Sequence, residues 1–238
     1  MKLSSAATAI VALSLVLAGC AVVEEVEEVE VVEEVPEAVE VEVPRHPLTG
    51  FELGGETVSG PSIAIKIDNT DAGRPQVGIS SADIVFEELV EGGVTRYLAI
   101  FHTDVPVEVG PVRSGRPQDA ELVPSFGGVF VFSGVGNSNV REIIRGSGLQ
   151  LVEHDTSGGT PDGDFFFRSD RKRAPLNLHI EAASLLESYQ DLAARVQQFL
   201  FKTAPEEASA FVDGVPAEEI RVVFSNRIES NWEWDAAT

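Results

Sequence analysis

Arginine is the residue type whose spacing in this chain most invites chemistry: 13 of its 17 basic residues are Arg and 4 are Lys. Arg113 and Arg116 lie three apart in a loop framed by Gly110, Pro111, Gly115 and Pro117. That stiff presentation suits bidentate gripping of a carboxylate or phosphate. Arg168, Arg171, Lys172 and Arg173 make the one dense basic run, and the polar stretch 156–160 beside it (Thr-Ser-Gly-Gly-Thr) is either an anion-binding nest or a plain connection. Arg141 and Arg145, four apart, would share one face of a helix. The same guanidiniums could instead hold the fold together by pairing with Asp68, Asp83, Glu87, Glu88 or Glu91, because rigid Arg loops serve either purpose.

Motifs for other chemistries are missing. The chain has no HExxH, G-x-S-x-G, Walker loop or dinucleotide fingerprint. His46, His102, His154 and His179 stand apart in sequence with no metal-pair spacing. Asp162-Gly163-Asp164 lacks the further oxygen ligands of a calcium loop and reads as a turn. No metal and no cofactor is expected.

The 238 residues carry a formal charge of −22, so a broadly basic nucleic-acid binder is excluded. One cysteine, Cys20, leaves no internal disulfide framework. Residues 1–19 read as a secretory leader: Lys2, then an uncharged stretch from Ala6 to Leu17 too short to span a bilayer comfortably. The leader ends in Leu17-Ala18-Gly19-Cys20, which resembles the bacterial lipobox. Lipidation at Cys20 would anchor the mature protein on the extracytoplasmic face of a cell membrane. Residues 20–46 form a Val/Glu-rich tether; 21–43 contain ten Glu and no basic residue, and Pro36 and Pro44 interrupt any helix. Residues 44–238 remain acidic at −13.

A folded region is expected over 47–204. In residues 62–68, Ile63, Ile65 and Ile67 alternate with Ser62, Ala64 and Lys66, as in a half-buried strand. Residues 69–78 read as a loop, and 83–89 and 94–101 as a hairpin closed by Glu91-Gly92-Gly93. Apolar residues 127–132 predict an interior strand. Residues 137–145 predict a helix capped by Asn137 or Ser138 and stopped by Gly146. The stripe Leu185, Tyr189, Leu192, Val196, Phe199 predicts a long helix over 181–200. Strands and helices mix without a regular βαβ repeat, which gives an α+β (irregular α/β) fold, a mixed sheet with packed helices.

Several strings, in order, carry a family resemblance. They are Pro47-Leu48-Thr49-Gly50, Ile67-Asp68-Asn69 followed by Arg74-Pro75-Gln76, Glu91-Gly92-Gly93-Val94-Thr95-Arg96, Gly110 to Pro117, and Phe166-Phe167-Arg168 leading to Arg173-Ala174-Pro175-Leu176-Asn177-Leu178. Residues 47 to about 182 resemble the N-terminal domain of the YerB family of bacterial lipoproteins, a domain of unknown function. The resemblance adds Arg96 and Asn177 to Arg113, Arg116, Arg168, Arg171 and Arg173 as a candidate anionic-ligand site. Gly115 stands where the family usually has Ala, which implies a looser loop. Leu176 and His179 stand where a His and a Tyr are expected. Residues 205–238, with Trp232-Glu233-Trp234-Asp235, are similar to a linker and the truncated opening of the family's second domain.

Together these features imply an envelope lipoprotein that binds a wall polymer or an envelope protein without catalysis. The alternative is an enzyme on an anionic envelope substrate, with Arg113, Arg116 and Arg173 stabilising charge and Asp68 or His179 as acid or base. A third possibility is a spacer whose arginines serve only the fold.

Overall fold

The computed structural model describes residues 43–154, 165–193 and 197–235. Cys20, the leader, the tether up to residue 42, and the 156–160 and 162–164 motifs lie outside the described residues. The folded chain is α+β. Its main sheet has strand order β2-β3-β1-β5-β6, built from β1 (Ile63–Asp68), β2 (Ile84–Leu89), β3 (Thr95–Phe101), β5 (Val129–Phe132) and β6 (Gln150–Glu153). A smaller sheet sets β8 (Leu178–Glu181) between β4 (Glu108–Val109) and β7 (Phe166–Arg168).

The predicted hairpin forms: β2 and β3 pair antiparallel, with Glu88 opposite Arg96. β3 also pairs antiparallel with β1, placing Asp68 opposite Arg96, while β1, β5 and β6 run parallel. The β5 to β6 crossover passes through α2 (Ser138–Arg145), whose Asn137 side chain accepts a hydrogen bond from Val140 N at 3.1 Å.

Three layers result. One face of the main sheet packs Ile63, Ile65, Ile67, Phe101 and Val131 against Ile180 of β8 and Leu185 and Leu186 of α3 (Ala182–Glu187). The opposite face packs Ala64, Leu98, Ile100, Phe130 and Phe132 against Val123 and Phe126 of α1 (Asp119–Phe126) and Val140 and Ile144 of α2. Each such Val, Leu, Ile or Phe side chain fully buried stabilises the fold by about 1.5–3 kcal/mol.

β1 therefore differs from the sequence expectation. Every residue of it is buried, and the face carrying Ala64 and Lys66 is roofed by helices instead of meeting water. The long helix over 181–200 also does not form. α3 stops at Glu187, and the chain turns through Ser188 to Leu192. Leu185, Leu186 and Tyr189 complete the sheet's cover, whereas Leu192 and Phe199 remain exposed. Beyond Tyr189 the chain leaves this face, Phe199 stacking instead on Phe126 of the opposite face, and periodicity alone does not sustain a helix. Val196 lies outside the described residues.

A short helix, α4 (Ser209–Val212), leads to a hairpin of β9 (Glu219–Val223) and β10 (Glu229–Glu233). The hairpin docks on the β2–β3 turn through Ser225 Oγ, which donates to Gly93 O at 2.7 Å, and Arg227 Nη1, which donates to Gly92 O at 3.0 Å.

Candidate functional site

The segment 110–116 runs between the carboxyl-terminal ends of β1 and β5. Arg113 N donates to Lys66 O, and Arg113 O accepts from Ser133 N, each at 2.9 Å, so the backbone at Arg113 is tied to both strands. Gly115 N donates to Gly134 O at 2.9 Å, and Val112 N donates to Leu178 O at 2.7 Å. The crevice beyond the carboxyl ends of parallel strands is where open α/β sheets collect ligands. Two glycines permit this close lay: a Cβ on Gly110 would fall 2.6 Å from the His179 ring, and one on Gly115 would fall 2.9 Å from Ile144 Cδ1. Gly115 is buried and bonded, so the looseness expected of it is replaced by close packing.

This segment brings three arginines together. Arg113 Nε meets Asp68 Oδ2 at 2.7 Å, where Asp68 is 1% exposed. Asp68 Oδ1 also accepts from Thr70 N at 2.7 Å and from Thr70 Oγ1. Arg116 Nε pairs with Glu91 Oε2 at 2.6 Å, and Arg116 Nη1 donates to Gly115 O at 2.8 Å and Ser114 O at 3.3 Å. Arg96, reaching over from β3, donates through Nη1 to the same Ser114 O at 2.6 Å. Two guanidiniums thus share one neutral carbonyl. Among the described residues no carboxylate lies within ion-pair distance of Arg96. Burial, then the neighbouring Arg116 and Arg113, pull its pKa down to about 10, against the partial opposition of Asp68 and Glu91. Glu91 moves the other way from what burial dictates: its own backbone N–H and Arg116 hold it below the usual carboxylate range.

Beneath these arginines lies a buried triad the sequence did not reveal. Lys66, 0% exposed, reaches Asp119 Oδ1 at 2.7 Å and Glu88 Oε1 at 2.8 Å. Asp119 Oδ2 accepts from Arg116 N at 2.6 Å, so the triad fixes the backbone that presents Arg116. Burial, then Asp119, raise the pKa of Glu88 against the pull of Lys66. The one sequence signal was a lysine inside an isoleucine-rich strand.

The basic run makes a second group on the β7–β8 loop. Arg168 Nη1 donates to Asn177 Oδ1 at 3.2 Å, and Asn177 Nδ2 donates to Ser169 O at 3.2 Å. Arg171 Nη1 meets Glu108 Oε1 at 2.8 Å, the same oxygen that His179 Nδ1 contacts at 2.6 Å. Lys172 Nζ donates to Ala72 O at 3.1 Å and Arg74 O at 2.5 Å, while exposed Arg173 accepts a turn hydrogen bond from Leu176 N. These bonds knit the loop to its surroundings rather than to Arg96, Arg113 and Arg116. Arg141 pairs with Glu153 at 2.6 Å. Burial lowers the pKa of His179 despite Glu108.

His46 and His102, 56 residues apart in sequence, meet at 2.9 Å (Nε2 to Nδ1) beside a cavity of about 380 Å³. No spacing rule could have paired them. Among the described residues no three His, Cys, Asp or Glu side chains converge to hold a metal, and no helix is long and apolar enough to cross a membrane.

Residues 48–195 match the family described as "Protein of unknown function (DUF3048) N-terminal domain". The chain is 32% identical over 200 residues to a protein of Bacillus subtilis (strain 168) named "Putative lipoprotein YerB". That alignment covers 79% of this chain and 56% of the relative, so the chain spans little more than half the relative's length. It is also similar to the crystal structure of the YerB protein from Bacillus subtilis: TM-score 0.64, 27% identity, 81% of this chain and 63% of that one.

Proposed function

Starting from the premise that this chain belongs to the DUF3048 family of proteins of unknown function and carries its N-terminal domain, we propose that it is a membrane-anchored extracytoplasmic binding module for an anionic component of the cell envelope. The relative's name as a lipoprotein and the Leu17-Ala18-Gly19-Cys20 sequence support the anchor. The binding role rests on one observation: Arg96 sits beside two other arginines, each of which has a carboxylate, and has none within ion-pair distance among the described residues. A half-buried cation crowded by like charges is partly desolvated at a cost that an arriving anion recovers.

Two observations favour binding over the enzymatic alternative. Asp68 is buried, ion-paired with Arg113 and bonded to Thr70, and His179 is buried as well, so neither candidate acid or base is presented to a substrate. Arg113→Lys keeps the charge but loses the planar fork. In a pull-down of the full chain on purified cell-wall fractions, this variant is expected to be retained more weakly than wild type. Equal retention, or turnover of the wall material, would overturn the reading.

A further inference from the structure

Resting on the anion-binding reading, we propose that the ligand of the Arg96–Arg113–Arg116 group is a phosphate group, carried by an envelope polymer or a lipid headgroup, and that Arg96 is the residue that selects it. Arg113 spends Nε on Asp68, and Arg116 spends Nε on Glu91. The protein's own carboxylates thus occupy one side of these two guanidiniums. Both terminal nitrogens of Arg113, Nη2 of Arg116, and Nε and Nη2 of Arg96 have no partner among the described residues. Ser114, whose carbonyl joins Arg96 to Arg116, also keeps its N–H and hydroxyl unbonded among the described residues.

The remaining donors set the chemistry of the partner. A carboxylate has two oxygens, and their acceptor sites lie in one plane. Here five nitrogens come from three guanidiniums on two elements, β3 and the 110–116 segment, with a hydroxyl and an amide between them. Tetrahedral phosphate oxygens, projecting in more than one plane, can accept from all of them. The group lies on a body carrying −13 over residues 44–238, which repels polyanions from most other parts of the surface.

Arg96→Gln separates this role from a structural one. Removing a cation that faces two like charges and has no carboxylate within ion-pair distance among the described residues should leave the melting temperature unchanged or raise it, while binding falls. An arginine serving the fold would lower it. The experiment titrates the full chain, wild type and Arg96→Gln, at about 0.15 M salt, where charges more than about 8 Å apart are screened. The probes are poly(glycerol phosphate), phosphatidylglycerol vesicles and, as the carboxylate comparison, poly-glutamate. Wild type is expected to bind one or both phosphate probes saturably, at least tenfold more tightly than poly-glutamate, and Arg96→Gln to lose about tenfold or more, the effect of one charge-assisted hydrogen bond. Binding to the polymer or to the vesicles alone identifies the source of the phosphate. Preference for poly-glutamate would overturn the phosphate assignment and leave the anion site standing; no binding to any probe would remove both. A melting temperature that falls in Arg96→Gln, with binding intact, would make Arg96 structural.

Discussion

Acidification from pH 7.5 to 5 should loosen the segment around His46 first. Leu48 N and Thr49 N both donate to His46 Nδ1 at 3.3 Å, which leaves the ring proton on Nε2. That proton is donated to His102 Nδ1 at 2.9 Å, and His102 Nε2 in turn donates to Ser59 O at 3.1 Å. The chain of bonds is complete only when both rings are neutral; a further proton on either ring sets two donors against each other. Asp83 faces the pair, and Glu52 and Glu56 line the adjoining cavity. Burial, then His102, lower the pKa of His46 more than Asp83 raises it. The folded state therefore binds fewer protons than the unfolded one, whose His titrates near 6.5. Stability is complete above about pH 6.5 and declines as pH falls, by about 1.4 kcal/mol per pH unit until the folded pKa is reached. His179, also lowered by burial, adds a slope of the same sign. Urea unfolding at several pH values, for wild type and His46→Asn, measures the difference. The variant should be about 0.5–1.5 kcal/mol less stable at pH 7.5, from the lost hydrogen bond, but should lose the His46 share of the slope. Identical slopes in the two proteins would refute the reasoning.

Three further outcomes follow from the packing. Lys66→Met leaves Glu88 and Asp119 buried without their cation and should cost about 3–5 kcal/mol in denaturant unfolding at pH 7, with part of the loss recovered at lower pH as Glu88, already raised, takes a proton. Gly115→Ala brings a methyl to 2.9 Å from Ile144 Cδ1 and 3.3 Å from the Phe132 ring, both buried, so unfolding free energy should fall by about 1–3 kcal/mol. Cys20→Ser should move the protein from the membrane fraction to the medium on fractionation, and retention of the variant after a salt wash would remove the anchor.

Local signals marked the elements that local chemistry determines. β-branched alternation located β1, the paired glycines located the β2–β3 turn, and Asn137 caps α2 as its side chain and position suggest. The family strings pointed to Arg113 and Arg116 through their Gly/Pro frame. What remained hidden depends on register and layering. Nothing near Lys66 reveals that Glu88 and Asp119, 22 and 53 residues away, reach it under a roof of helices. Arg96 gains its place from strand pairing opposite both Asp68 and Glu88, and the end of α3 is set by where the chain leaves the sheet face it covers. The second basic group was read in sequence as part of the same site, because density of charge does not tell that Glu108 and Asn177 already engage it.

The most direct measurement is an experimental structure of the full chain with a short glycerol phosphate oligomer bound. A phosphate with oxygens within hydrogen-bond reach of both Arg96 and Arg113, and with Asp68 still paired to Arg113, is the predicted result. A phosphate held only by Arg168, Arg171 and Arg173, with the Arg96 group vacant, would contradict the account.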